Sequence, residues 1–130
     1  MNSTFIDLIN KTPSPMGTNM AVSQNSYGVN VQNQFLYGFQ LFWTGSSMNG
    51  TFKLQGSLQI PTTPAGSILW SDVVGSAEVI TSGLTTYGNA NYLWSYGPDA
   101  YGALQLVRIV WTPSSGTGTL TNAICSIKGS

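Results

Sequence analysis

The 130-residue chain contains no histidine. This removes the Ser-His-Asp and Cys-His nucleophilic systems, the histidine-based zinc sites and the side chain most often used as a general base near neutral pH. The single cysteine, Cys125, excludes an internal disulfide and any cysteine cluster for a metal. Its setting in the apolar run AICSI marks it as a small core or strand residue. Charge is scarce too: Asp, Glu, Lys and Arg are 6 % of the residues, where an ordinary soluble domain has roughly 25 %. Four basic residues balance four acidic ones, so the formal net charge is zero. A surface of this kind is built from Ser, Thr, Asn, Gln, Gly and backbone, and its weak self-repulsion favours association.

Other absences narrow the function further. No apolar run approaches the ~18 residues of a membrane span, and four scattered cations make no basic stripe for nucleic acid. We therefore expect neither a membrane nor a nucleic-acid partner. Gly116-Thr117-Gly118 is not a phosphate loop, because no lysine follows it and no helix opens there. Hydrolytic chemistry would have to rest on Asp7, Asp72, Glu78 and Asp99, and nothing in their spacing pairs two of them across a cleft. No cofactor, no metal and no enzymatic activity are expected. The opening MNSTFIDLINK has no basic segment followed by an apolar stretch, so no secretory signal is expected.

What the chain does have is period-2 alternation. In FLYGFQLFWT, Phe35, Tyr37, Phe39, Leu41 and Trp43 share one face. GTFKLQGSL sets Phe52 and Leu54 opposite Lys53 and Gln55, and the turn residues between the two runs suggest a hairpin. In LQLVRIVWT, Val107, Ile109 and Trp111 share a face, while Leu106, Arg108 and Val110 share the other, as in a central strand covered on both sides. The Pro-Ser-Ser-Gly-Thr-Gly linker after it suggests a second hairpin, with a closing strand over about 117–127. Weaker strand candidates are 4–9, 20–24, 28–32, 67–70, 77–81 and 91–96. About eight short strands with Gly and Pro punctuation predict an all-β, antiparallel β-sandwich, jelly-roll-like, in preference to a small barrel. We expect one domain over 1–130, with 1–20 as an extended N-terminal arm.

One segment, TTYGNANYLWSYGPDAYG, concentrates aromatics. Tyr87, Tyr92, Trp94, Tyr96 and Tyr101 sit among Asn, Gly and Ser. Two readings stay open. Exposed, these rings would stack on sugars or anchor a protein interface; alternatively, Tyr92, Trp94 and Tyr96 alternate inward along a strand and simply pack.

The order GTFKLQGS, WSDV, YLWSY and LVRIVWTPSSGTGTLTNAICSIKG resembles small bacteriophage virion structural proteins of the capsid decoration, minor capsid or head-fibre type. The residues that carry the resemblance are Gly50, Thr51, Phe52, Leu54, Gln55, Ser57, Trp70, Asp72, Val107, Arg108, Ser115, Gly116, Thr117, Gly118, Lys128 and Gly129. The chain departs from that pattern at LQIPTTPAG and at Leu106, where an aromatic is usual. The resemblance implies a structural role in a virion, and no catalytic residue comes with it; on that role, with a surface so poor in charge, we expect assembly into trimers or larger species and contacts to other virion proteins. A virion component is also made in the host cytoplasm without a signal. Arg108, the only arginine, lies on an otherwise apolar strand and needs a partner, since an unpaired buried charge costs several kcal/mol. We expect it to pair with Asp72, or else to face a neighbouring subunit. The alternative function is a glycan-binding module for host or mucus attachment.

Overall fold

The computed structural model describes residues 3–10, 14–32, 34–97 and 104–129. Its strands are β1 (Ser3–Asp7), β2 (Gln24–Asn25), β3 (Val29–Asn30), β4 (Gln34–Thr44), β5 (Asn49–Ser57), β6 (Ser71–Asp72), β7 (Glu78–Ile80), β8 (Asn91–Tyr96), β9 (Leu106–Ser115) and β10 (Thr119–Gly129). All pairings between them are antiparallel. The first sheet has the order β1-β10-β4-β8, and the second β2-β9-β5-β6, with β3 also on β9 and β7 also on β5. Because β2 and β3 share one edge and β6 and β7 the other, the chain occupies eight strand positions, four per sheet. This is the connectivity of a jelly roll, and the expected all-β sandwich is what forms.

Alternation decides what lies between the sheets. Across the first sheet, Ile6, Cys125, Phe39 and Trp94 stand in register on the inner face. Across the second, Phe52 faces Trp111 and Leu54 faces Ile109. The layers meet where the Phe52 ring lies 5.2 Å from Trp43 and 4.4 Å from Trp111. Each of three buried indoles donates its N–H to a loop carbonyl: Trp43 to Gly83 at 2.7 Å, Trp94 to Ser76 at 2.8 Å and Trp111 to Met20 at 2.9 Å. A tryptophan can be buried only when its N–H finds such a partner, so these contacts also tack three loops to the core. Cys125 is fully buried, and burial pushes its thiol up to about 12, which keeps it protonated and inert.

Three expectations need correction. Neither proposed hairpin exists: β4 and β10 belong to the first sheet, and β5 and β9 to the second. The turns at 45–48 and 116–118 are corners that carry the chain from one sheet to the other, so the strand pairs touch face to face instead of edge to edge. These corners pack on each other, with the Thr117 amide donating to Ser47 Oγ at 3.2 Å. The expected arm is also absent in the described part of 1–20. There β1 is the edge strand beside β10, and Leu8, Met16 and Met20 are buried, because these apolar side chains complete the core at one end. Finally, the strand expected over 67–70 is replaced by a 3₁₀ turn at Ala65–Ser67 and the short β6, after two prolines that cannot donate to a ladder.

Candidate functional site

Strand β8 settles the direction of most of the aromatic segment. Trp94 is 4 % exposed, Tyr92 packs edge-on against it at 4.9 Å, and Tyr96 lies 5.4 Å from Tyr37. The register that puts Trp94 opposite Phe39 turns this face toward the second sheet. The Tyr92 hydroxyl is committed as well: it hydrogen-bonds Glu78, and its pKa is raised by burial first and by the nearby Glu78 and Tyr87 second. Glu78 is itself buried and accepts from the Thr86 amide and hydroxyl at 3.3 and 3.0 Å. Of the five aromatics, Tyr87 alone is shown standing in solvent, 81 % exposed; Tyr101 lies outside the described residues. The sequence reading in which the strand aromatics pack inward is the one realised, and no continuous stacking platform forms from Tyr92, Trp94 and Tyr96.

The outer face of the first sheet carries a shallow depression of about 270 Å³. The outward row Phe5, Ser126, Gly38 and Ser95 crosses it, and Leu36, Gln40, Leu93 and Lys128 stand nearby. Gly38 makes the low point, since a Cβ there would come within 2.7 Å of the Trp94 carbonyl oxygen. A second, apolar cleft of about 460 Å³ opens beside Leu58, Leu69 and Leu104. It lies beside the β5–β6 connection, where Leu58, Ile60 and Leu69 are 67, 63 and 77 % exposed, and Val74, just past β6, is 82 % exposed. Scattered exposed apolar residues are ordinary; three large aliphatic side chains on one connection, with a fourth just past the next strand, are not.

Arg108 and Asp72 share the outer face of the second sheet but do not form the expected ion pair. Asp72 pairs instead with Lys53 at 3.0 Å. Gln55, in register with both Asp72 and Arg108, stands between them. Its amide nitrogen donates to Asp72 at 3.0 Å, while its carbonyl oxygen accepts from Arg108 Nε at 3.0 Å and Nη2 at 2.7 Å. The guanidinium also lies 4.5 Å from the centre of the Trp70 ring. A neutral amide bridges the cation and the anion because the strand register sets Gln55 directly opposite Arg108. Strand alternation already puts Lys53 and Gln55 outward, but nothing local signals that Gln55 and Trp70 would be the partners of Arg108.

The Asp72 carboxyl is held below its ordinary range by the hydrogen bond from Gln55 first and by Lys53 second. A depressed carboxylate contributes stability above its ordinary pKa and loses it as pH falls through the lowered one. Its side chain is 58 % exposed, so solvent screens the pair. Replacing Asp72 with Asn is therefore expected to change unfolding free energy by about 0.5 kcal/mol or less at neutral pH. The small difference should vanish in acid. A large loss in thermal unfolding at neutral pH would mean that Arg108 depends directly on Asp72.

The other carboxylates are dispersed. Asp7 accepts from the amides of Ile9 and Asn10 at 3.0 Å each and caps the turn after β1, whereas Glu78 is inside the sandwich edge. Asp99 lies outside the described residues. Among the described residues, no three His, Cys, Asp or Glu side chains cluster as a metal site, and no helix is long and apolar enough to cross a membrane.

The sequence matches no family model and no curated protein. Solved structures do resemble the fold. The CBM22-1–GH10 modules of Clostridium thermocellum endo-1,4-beta-D-xylanase 10B, complexed with xylohexaose, match at TM-score 0.50 and 14 % identity over 98 % of this chain and 25 % of that one. The SPBc2 prophage-derived protein YomS matches at TM-score 0.49 and 11 % identity, over 97 % of this chain and 92 % of that one. The VP2 subviral particle of infectious bursal disease virus matches at 0.48 and 12 %, over 98 % and 32 %. At these identities the likeness is one of fold: this chain is an antiparallel jelly-roll β-sandwich.

Proposed function

We propose that the chain is a non-enzymatic structural protein of a virion, in a capsid decoration or minor capsid role, that assembles with other copies and with other virion proteins through uncharged surface. Jelly rolls serve capsids and lectins alike, so the fold alone does not choose between them. The surface does. The observation that carries this reading is the stretch around β6, from the β5–β6 connection to the residues just past it, where Leu58, Ile60, Leu69 and Val74 are left in water on a molecule with almost no charge. Burying them in a repeated contact supplies affinity through apolar area, and symmetry multiplies many weak contacts. The inward turn of Tyr92 and Trp94 removes much of what favoured a glycan module.

Light scattering across protein concentration tests this. Trimers or larger species are expected, with the association unchanged between about 0.1 and 1 M salt, over which the Debye length falls from about 10 to 3 Å. Leu58→Glu combined with Leu69→Glu should leave a single copy with unaltered thermal unfolding. A parent chain that stays single at all concentrations, and outside the particle fraction of an infected lysate, overturns the proposal. A saturable tryptophan-fluorescence response to neutral sugars would favour the glycan module instead.

A further inference from the structure

We infer that Arg108 is a docking point for a carboxylate presented by a different protein, received on the free end-on edge of its guanidinium at the outer face of the second sheet. This rests on the assembly reading and adds to it the chemistry of one contact. A guanidinium offers two edges to planar acceptors. The side-on edge, Nε with Nη2, is spent on Gln55 Oε1 at 3.0 and 2.7 Å. The end-on edge, Nη1 with the second Nη2 hydrogen, meets no hydrogen-bond partner among the described residues, and this edge takes a carboxylate in a bidentate pair.

The cation is also held in place. Trp70 lies against it at 4.5 Å, and Trp70 is itself wedged over Gly28, where a Cβ would stand 2.9 Å from the ring. Gln55 is braced by Asp72, and Asp72 by Lys53. A partner therefore finds the arginine already ordered and pays little rotamer entropy to bind it. Arginine and tryptophan side by side are the residue types that dominate protein contacts.

The partner's class follows from its surroundings. Among the described residues the carboxylates are all engaged: Asp7 in its turn, Asp72 with Lys53 and Gln55, Glu78 with Thr86. A second copy offers no free acid from these positions, and the carboxylate is assigned to another chain. One face of the Trp70 indole is taken by Arg108. Leu69, the chain neighbour of Trp70, is an exposed aliphatic, which suits a protein surface.

Because Arg108 is the only arginine, its Nε–H gives one unambiguous signal in a ¹⁵N correlation spectrum. The probe is the blocked tripeptide Leu-Glu-Leu, compared with Leu-Gln-Leu and with glucuronate. We expect saturable movement of the Arg108 Nε–H and Trp70 indole signals with the Glu peptide, roughly tenfold weaker binding of the Gln peptide, and loss of the Trp70 response in R108K, which keeps the charge but not the fork. Equal binding of both peptides, no response to either, an unchanged Trp70 response in R108K, or glucuronate acting as strongly as the Glu peptide each overturns the inference. The peptide comparison uses the parent chain and needs no variant to fold. If association fails in light scattering while the Glu peptide binds, the assembly reading falls and the contact stands; the reverse result removes the contact alone.

Discussion

Replacing Trp111 with alanine is expected to cost about 4 kcal/mol of unfolding free energy, the range for deleting a large aromatic from a core. Trp111 is fully buried on the inner face of β9, 4.4 Å from Phe52 and, through Phe52, in line with Trp43 on the opposite sheet. This column of three rings is where the two layers meet. Alanine would leave a cavity that the flanking strands cannot close, because their spacing is held by backbone ladders. It would also strand the Met20 carbonyl, which accepts the indole N–H at 2.9 Å. Trp111→Phe separates the two effects: it keeps most of the volume, loses the hydrogen bond and should cost about 1–3 kcal/mol. Urea unfolding measures both. A Trp111→Ala loss near 1 kcal/mol would show that the aromatic column does not hold the sheets together.

Gly116→Ala is the second large effect, and here the cause is the corner. Gly116 has φ +78°, and a Cβ there would stand 1.7 Å from the Ser47 carbonyl oxygen. A left-handed conformation costs a non-glycine residue roughly 1–2 kcal/mol. The clash adds to that, because the obstacle is backbone of the facing corner and cannot rotate away. We expect a total loss of about 3 kcal/mol or more. Gly75→Ala and Gly88→Ala are the controls. Their φ angles are +81° and +80°, yet nothing lies within 4 Å of a Cβ at either position. Thermal unfolding should show only the conformational cost for these two, so three similar losses would mean that the corners do not press on each other.

The same corners mark where sequence reading stops. Gly-Ser-Ser-Met before β5 and Ser-Gly-Thr-Gly before β10 read as hairpin turns because they contain turn residues between alternating runs. Turn chemistry says that the chain bends; it does not say whether the next strand returns alongside the last or crosses to the opposite layer. In the aromatic segment, alternation over 91–96 located β8 and grouped Tyr92, Trp94 and Tyr96 on one face, but could not say which face was covered. For Arg108 the need for a partner was legible from its apolar strand. The partner was not, since Gln55 is 53 residues away and reaches it only through the β5–β9 register.

What the chain determines by itself is local and compositional: the lack of histidine and of charge, and the side-chain periodicity that makes strands with one apolar face and so demands a layered β fold. The tertiary structure alone decided which strands pair, which sheet each joins, that Trp94 points inward and that, among the described residues, one edge of Arg108 meets no partner. The physical reason is that ladder hydrogen bonds are made by backbone common to every residue. Partner choice then emerges only when all the apolar faces are buried together.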